Sequence, residues 1–260
     1  MSNHKVRYLV TGAAGSIGSA IMDMLGEGAV AVDNDEAALF RAGYKNSVLG
    51  DIRDPRFIKH HRPHTVIHCA AYKHVPFSEE SVDIVAENNV TGTQKLLHAC
   101  EDNSVERFLF VSTDKAAQPC STMGLTKALG EKLVMASRLE TKICLRFGNI
   151  YGSSGSVVET FERLHAEGKP LTVTHKDCTR YFMEDTVASR LIVGALDLES
   201  GIYALNCGEA KSIDEYARSI SDNIEYVGLR FGEKIHETFL NDNEMFENED
   251  DTYRKIILKE

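Results

Sequence analysis

Through the first 150 residues, short apolar runs alternate with stretches in which apolar residues recur every three or four places. The runs at 8–11, 29–32, 65–68, 108–111 and 143–147 are too short for buried helices and predict strands. The stretches between them, 89–99 and 126–137 among others, predict amphipathic helices. Strand, helix, strand in this order is the rhythm of a parallel sheet, whose strands are covered on both faces and so read as apolar runs without a polar side. The expected fold is therefore α/β, a Rossmann-like doubly wound parallel sheet. Between 33 and 50 there is room for one helix and one short strand, so the sheet is expected to be trimmed there.

Past residue 152 the rhythm changes. Residues 155–168 and 185–198 predict helices, 202–206 a returning strand, and the rest is mixed and polar. The pattern predicts a main Rossmann domain from 1–150 and 183–207 and a smaller C-terminal lobe from 151–182 and 208–260. An acidic patch at 241–251 reads as a solvated surface or frayed tail.

Composition narrows the function classes. Apolar residues make up 43% of the 260 and charged residues 26%, which excludes disordered, collagenous and disulfide-scaffold chains. Acidic residues outnumber basic ones 39 to 29, for a formal charge of -10, and no basic stripe forms, which argues against nucleic acid and anionic membranes as partners. The six cysteines (Cys69, Cys100, Cys120, Cys144, Cys178 and Cys207) lie far apart without a Cys-x-x-Cys pair and are expected to be reduced core thiols. Residues 1–8 lack a leader pattern, and no apolar run approaches the ~20 residues of a membrane span. A cytoplasmic protein with no membrane segment is the expectation.

The first strand runs into Thr11-Gly12-Ala13-Ala14-Gly15-Ser16-Ile17-Gly18 and then into a helical stretch. Glycines at 12, 15 and 18 allow a tight turn, close approach of a pyrophosphate to the amides, and close helix–strand packing. Gly12, Ala14, Gly15, Ser16, Ile17 and Gly18 are candidate cofactor contacts, with a mere tight turn as the alternative. Asp33 ends the second strand about 20 residues further on, where a carboxylate accepts from ribose hydroxyls and repels a ribose phosphate. Asp33-Asn34 brings no arginine, so NAD is favoured and NADP left open. Asp51 and Ile52 follow the third strand, within reach of an adenine amino group, and read equally as an ordinary turn.

Beyond this point the chain resembles the extended short-chain dehydrogenase/reductase family, and within it the inverting UDP-N-acetylglucosamine 4,6-dehydratases of polysaccharide biosynthesis. The resemblance rests on His68-Cys69-Ala70-Ala71-Tyr72-Lys73-His74-Val75-Pro76, Asn89-Val90-Thr91-Gly92-Thr93, Val111-Ser112-Thr113-Asp114-Lys115-Ala116, Arg146-Phe147-Gly148-Asn149 and Gly228-Leu229-Arg230-Phe231-Gly232-Glu233-Lys234. It implies cofactor contacts at Ala70, Ala71, Tyr72, Asn89, Ser112 and Lys127. It also implies substrate contacts at Lys73, Asn149, Arg180, Arg230 and Glu233, with Asn149 and Arg230 at the diphosphate and Glu233 at the uridine ribose. Two departures stand out. Met123 occupies the place of the superfamily's catalytic tyrosine, four residues before Lys127, as in some of these dehydratases. The chain is also shorter than typical relatives.

The implied reaction oxidises carbon 4 of the hexose, which acidifies carbon 5. Water is then lost across carbons 5 and 6, and the hydride returns to carbon 6. Asp114 is assigned the carbon-4 proton and the leaving hydroxyl, and Lys115 the carbon-5 proton, which requires a neutral lysine. The alternative for this pair is a solvated loop. Thr113 is expected to hydrogen-bond the sugar, Lys127 to reach the nicotinamide ribose and Met123 to pack near the ring. His60, His61, His64, His68 and His74 have no metal-ligand spacing, so no metal is expected. A UDP-sugar is the expected partner, with a homo-oligomer inferred from relatives. The rivals are a sugar-nucleotide 4-epimerase or ketoreductase and a non-catalytic NAD-binding regulator.

Overall fold

The computed structural model describes residues 5–153, 155–247 and 252–259. The first half alternates as its apolar pattern predicts: β1 (Val6–Thr11), α1 (Ser16–Leu25), β2 (Ala29–Asp33), α2 (Glu36–Ala42), β3 (Ser47–Leu49), α3 (Arg56–His61) and β4 (Pro63–His68). It continues through α4 (Val75–Glu80), α5 (Val82–Ala86), α6 (Thr93–Asp102), β5 (Arg107–Val111), α7 (Thr122–Ala136) and β6 (Thr141–Arg146). The predicted helix over 89–99 is entered through a π-helical turn, Glu87–Gly92. The wider turn tucks Gly92 against Ile52, where a Cβ would lie 2.9 Å from that side chain.

The second half adds the short strands β7 (Asn149–Ile150), β8 (Leu171–Val173), β9 (Thr179–Arg180) and β10 (Phe182–Met183), with α8 (Val157–Ala166) and α9 (Asp185–Gly194). Then come β11 (Gly201–Leu205), β12 (Lys211–Ser212), α10 (Ile213–Ile220), β13 (Ile224–Tyr226), β14 (Glu244–Phe246) and β15 (Tyr253–Leu258). The described residues build a nine-stranded sheet in the order β14-β15-β11-β6-β5-β4-β1-β2-β3. The pairs from β3 to β11 are parallel, and β15 and β14 extend the edge antiparallel. Residues 244–258, read as part of a smaller lobe, thus supply two strands of the main sheet.

Alternation along the central strands fills both faces. Val10, Leu109 and Leu145 pack with Ile21 of α1 and Ile192 of α9 on one side. Leu9, Phe108 and Phe110 pack with Ile58, Leu96 and Val134 on the other. A third cluster around Phe161, Leu171, Phe182 and Ile213 lies apart from both. β1 is the switch point, because the chain proceeds to β2 and β3 on one side and to β4, β5 and β6 on the other. That opens a crevice at the carboxyl ends of β1 and β4.

Two surface expectations change. Glu244, in the acidic patch, is buried against Arg146, because β14 carries it under the sheet edge; residues 248–251 of the patch lie outside the described residues, as do 1–4 of the amino-terminal segment. Cys120 is exposed, whereas Cys100, Cys144 and Cys178 are buried, Cys69 and Cys207 are half-buried, and all six are free thiols. No described helix is long and apolar enough to cross a membrane.

Candidate active site

A cleft of about 750 Å³ runs along the carboxyl edge of the sheet. At one end lies the glycine loop. Gly12 has φ +68, and a Cβ there would fall 2.6 Å from the Ala70 amide nitrogen. A Cβ on Gly18 would meet the Gly12 carbonyl oxygen at 2.0 Å, so α1 packs onto the loop only because that position is bare. The amino end of α1 has no side-chain cap and no acidic residue in its first turn, which leaves its amides and positive dipole end for an anion. Asp33 Oδ2 accepts from the Ala14 amide at 2.9 Å, locking the end of β2 to the loop with its negative charge at the cleft. Bare glycines, open amides and a carboxylate at the next strand end fit a dinucleotide.

Ala14, Gly15, Ser16, Ile17, Asn34, Ile52, Ala70, Ala71, Tyr72, Ser112 and Lys127 line the same cleft, as do Thr113, Lys115, Met123, Lys73 and Asn149. Several expected contacts sit elsewhere. Asp51 is turned onto Arg53, which reaches it at 2.6 Å and holds its carboxyl below the usual range. Asn89 is buried behind the cleft wall, where it accepts from the Tyr72 amide and donates to the Tyr72 carbonyl, both at 2.9 Å, and donates to Thr126. It fastens the loop that carries Tyr72 and Lys73 without facing the cleft.

Arg180 is likewise buried. It donates to the carbonyls of Thr179, Ile235 and Lys234 and to Glu233 at 3.1 Å, so its guanidinium holds the 233–235 segment in place. Glu233 also accepts from Thr174 at 2.9 Å, and Arg230 lies exposed on the adjoining loop, outside the cleft lining.

At the other end, β5 delivers Ser112 to Lys115. Ser112 donates to Glu131 at 2.5 Å and joins a buried cluster in which Arg146 pairs with Glu131 at 2.7 Å and Glu244 at 2.6 Å. Its hydroxyl is directed into the protein. Asp114 is fully buried; its Oδ1 accepts from Thr113 at 2.9 Å and from Lys115 at 3.0 Å, and its Oδ2 makes no hydrogen bond to any described residue. A buried carboxylate oxygen without a donor is an unsatisfied acceptor, which protein interiors seldom leave.

Lys115 Nζ reaches Asn149 Oδ1 at 3.3 Å and Glu237 Oε1 at 3.6 Å. Burial favours the neutral amine, but Asp114 and Glu237 outweigh it and the lysine is pushed up from its ordinary value. This corrects the neutral lysine expected from sequence: beside the adjacent Asp114, the fold brings in a second carboxylate from 122 positions away.

Lys127, in α7, is the group that burial pushes down, to about 8; it lies 3.9 Å over the Phe110 ring, and Met123 sits buried one turn before it. Cys69, on the cleft wall, is a thiol pushed up by burial to about 12. His68 is neutral in the interior, bridging Thr11 and Thr93. Among the described residues no group of three His, Cys, Asp or Glu side chains converges as metal ligands do.

Sheet order, glycine loop and cleft together define a Rossmann-fold protein of the extended short-chain dehydrogenase/reductase type. Within that class the chain belongs to the polysaccharide biosynthesis protein family, whose pattern it matches over residues 8–259. It is 36% identical over 271 residues to the probable polysaccharide biosynthesis protein EpsC of Bacillus subtilis, covering 91% of this chain and 45% of that protein. The chain thus spans less than half the length of that relative. Pen from Bacillus thuringiensis superposes with a TM-score of 0.86 at 26% identity, covering 99% of this chain and 88% of that one. The Thermus thermophilus UDP-glucose 4-epimerase, solved with NAD, superposes with a TM-score of 0.81 at 25% identity over 90% of each chain.

Proposed function

We propose that the cleft binds NAD and a UDP-N-acetylhexosamine, UDP-N-acetylglucosamine being favoured, and that the protein is a 4,6-dehydratase inverting carbon 5. The observation that carries this reading is the fully buried Asp114, with one oxygen unbonded, held against Lys115, which lines the cleft together with Met123, a residue without an ionisable group. A dinucleotide held by the glycine loop, Asp33 and Lys127 supplies reversible hydride storage between carbon 4 and carbon 6 of the sugar.

The chain's own groups move the protons. Asp114 Oδ2 accepts the carbon-4 hydroxyl proton and, as the acid, delivers one to the departing carbon-6 hydroxyl. Lys115 removes the carbon-5 proton. Its carboxylate neighbours hold it charged at rest, so the base forms only as that proton is lost, and the rate rises with pH through the titration. Once the hydride has returned to carbon 6, a solvent-derived proton is added to carbon 5 from the opposite face, as inversion requires. Lys73 and Asn149 line the cleft wall, Asn149 being assigned to the diphosphate, and Arg230 and Glu233 are assigned to the nucleotide end.

A 4-epimerase is the second reading, favoured by the Thermus enzyme's likeness. Met123 cannot be the carbon-4 base of either reaction, and Lys115 at the cleft wall, a carbon-5 base that dehydration needs and epimerisation does not, weighs against the epimerase. The test is product analysis by NMR after incubation with UDP-N-acetylglucosamine and NAD in deuterated water. Dehydration gives a 4-keto-6-deoxy sugar with deuterium at carbon 5. An intact hexose inverted at carbon 4 establishes the epimerase instead, and no conversion, with no transient absorbance from reduced cofactor, leaves a non-catalytic binding protein.

A further inference from the structure

Glu237 is the carboxylate that no feature of the site's sequence pattern announces. Its side chain is 3% exposed and sits between two lysines, with Oε1 3.6 Å from Lys115 Nζ and Oε2 3.0 Å from Lys234 Nζ. The backbone that carries it is fastened at several points. Arg180 binds the Ile235 and Lys234 carbonyls at 2.9 and 2.8 Å, the Thr179 amide binds Ile235 at 3.0 Å, and the exposed Cys120 thiol reaches the Gly232 carbonyl at 3.3 Å. The same short segment bears Glu233, assigned to the nucleotide, at its other end.

We propose that Glu237 is a positioning residue for Lys115: it holds the ammonium at the cleft wall and sets the pH at which that lysine becomes a base. This rests on the reading of Lys115 as the carbon-5 base. Among the described residues, four groups face the ammonium. Asp114 stands beside it on the same turn, Glu237 comes from the C-terminal segment, the neutral Asn149 from β7, and Arg180 acts from β9 as an opposing positive charge. Glu237 in turn faces Lys115 and Lys234, with the Cys120 thiol nearby. Of the two carboxylates, Asp114 is fixed by the turn that also carries Lys115. Glu237 reaches the ammonium only while the 232–237 segment is seated, so the basicity of Lys115 depends on the placement of the part of the chain assigned to the nucleotide.

The sign of the effect follows from charge alone. Removing an opposite charge within about 4 Å lowers an ammonium's pKa by roughly one unit or more. Lys234 competes for Glu237 and repels Lys115, so removing it acts the other way. The experiment follows the Lys115 ¹³Cε resonance with pH in full-length, lysine-labelled protein without substrate, assigned by its loss in Lys115→Met. Glu237→Gln should move the Lys115 midpoint down by about one unit, Glu237→Asp by less, and Lys234→Met should move it up.

In the pH profile of kcat/KM for dehydration, the acidic limb should shift in the same directions while NAD binding stays unchanged. Midpoints that coincide in wild type, Glu237→Gln and Lys234→Met overturn the proposal. Should Glu237→Gln fail to fold, the upward shift in Lys234→Met and the smaller downward one in Glu237→Asp decide it. Because the resonance titrates without turnover, shifted midpoints with no dehydration product sustain the role of Glu237 and reject the dehydratase reading instead.

Discussion

Lys127 is a buried amine with no acid partner in contact among the described residues and a ring beneath it, and its removal should stabilise the protein in a pH-dependent way. In the unfolded chain its pKa is about 10.4, whereas burial lowers it to about 8 in the fold. Between those values the unfolded state binds more protons than the native one, so stability rises with pH across that window. Below pH 8 the full penalty is present, about 3 kcal/mol from a gap of some 2.4 units at 1.36 kcal/mol each.

Lys127→Met keeps a long flexible side chain over Phe110 and relieves the penalty. It forfeits a cation–π contact at 3.9 Å worth about 0.5–2 kcal/mol. The net expectation at pH 7 is a gain of about 1–3 kcal/mol in urea unfolding. At pH 9.5 the native amine is neutral and the penalty has shrunk to about 1 kcal/mol, so the gap between variant and wild type should narrow by about 2 kcal/mol. Other groups cancel in this difference. A gap that is constant between pH 7 and 9.5, or a variant less stable than wild type at pH 7, refutes the account of Lys127 as a desolvated amine.

Lys115→Met should still fold and bind NAD, with lower stability because the buried Asp114 loses its cation, and should abolish water loss; a dehydration rate near that of wild type sinks the assignment of the carbon-5 base. Asp33→Ser combined with Asn34→Arg should shift the ratio of Kd values from NAD toward NADP, since it removes the charge at the ribose and adds a phosphate partner; calorimetric titration reads it, and a wild-type preference for NADP contradicts the role given to Asp33. Arg146→Met strands Glu131 and Glu244, both buried, and should destabilise the fold by about 3–5 kcal/mol in the same urea assay, whereas a loss below 1 kcal/mol would mean that water reaches the cluster. Gly18→Ala should disrupt the loop, because its Cβ would lie 2.0 Å from the Gly12 carbonyl oxygen, and a variant with unchanged NAD affinity rejects that close packing.

What the sequence determined is local. Apolar runs such as Phe108 to Val111 could be read as buried strands because a parallel strand covered on both faces must be apolar along its length. The glycine loop was legible because three bare positions at fixed offsets are needed where backbone meets backbone, and Asp33 because the loop and the next strand end stand at a set distance along the chain. Asp114 and Lys115 came from a resemblance; in the fold Lys115 lines the cleft just past the end of β5, while Asp114, which accepts from it, is fully buried.

The tertiary structure alone decided the charge relations. Asp51, Arg180 and Asn89 carry the residue types of a binding site, yet their polar atoms are taken up by Arg53, by the 233–235 segment and by the Tyr72 backbone. Glu244 lies in an acidic patch that reads as solvent-facing until β14 joins the sheet and sets it against Arg146, a partner 98 positions away. Glu237 reaches Lys115 in the same manner and, together with Asp114, reverses the sign expected for that lysine's pKa. Periodicity and spacing report on neighbours along the chain. The protonation state of a buried group is the sum of its surroundings in space, and those are fixed only when distant segments close on one another.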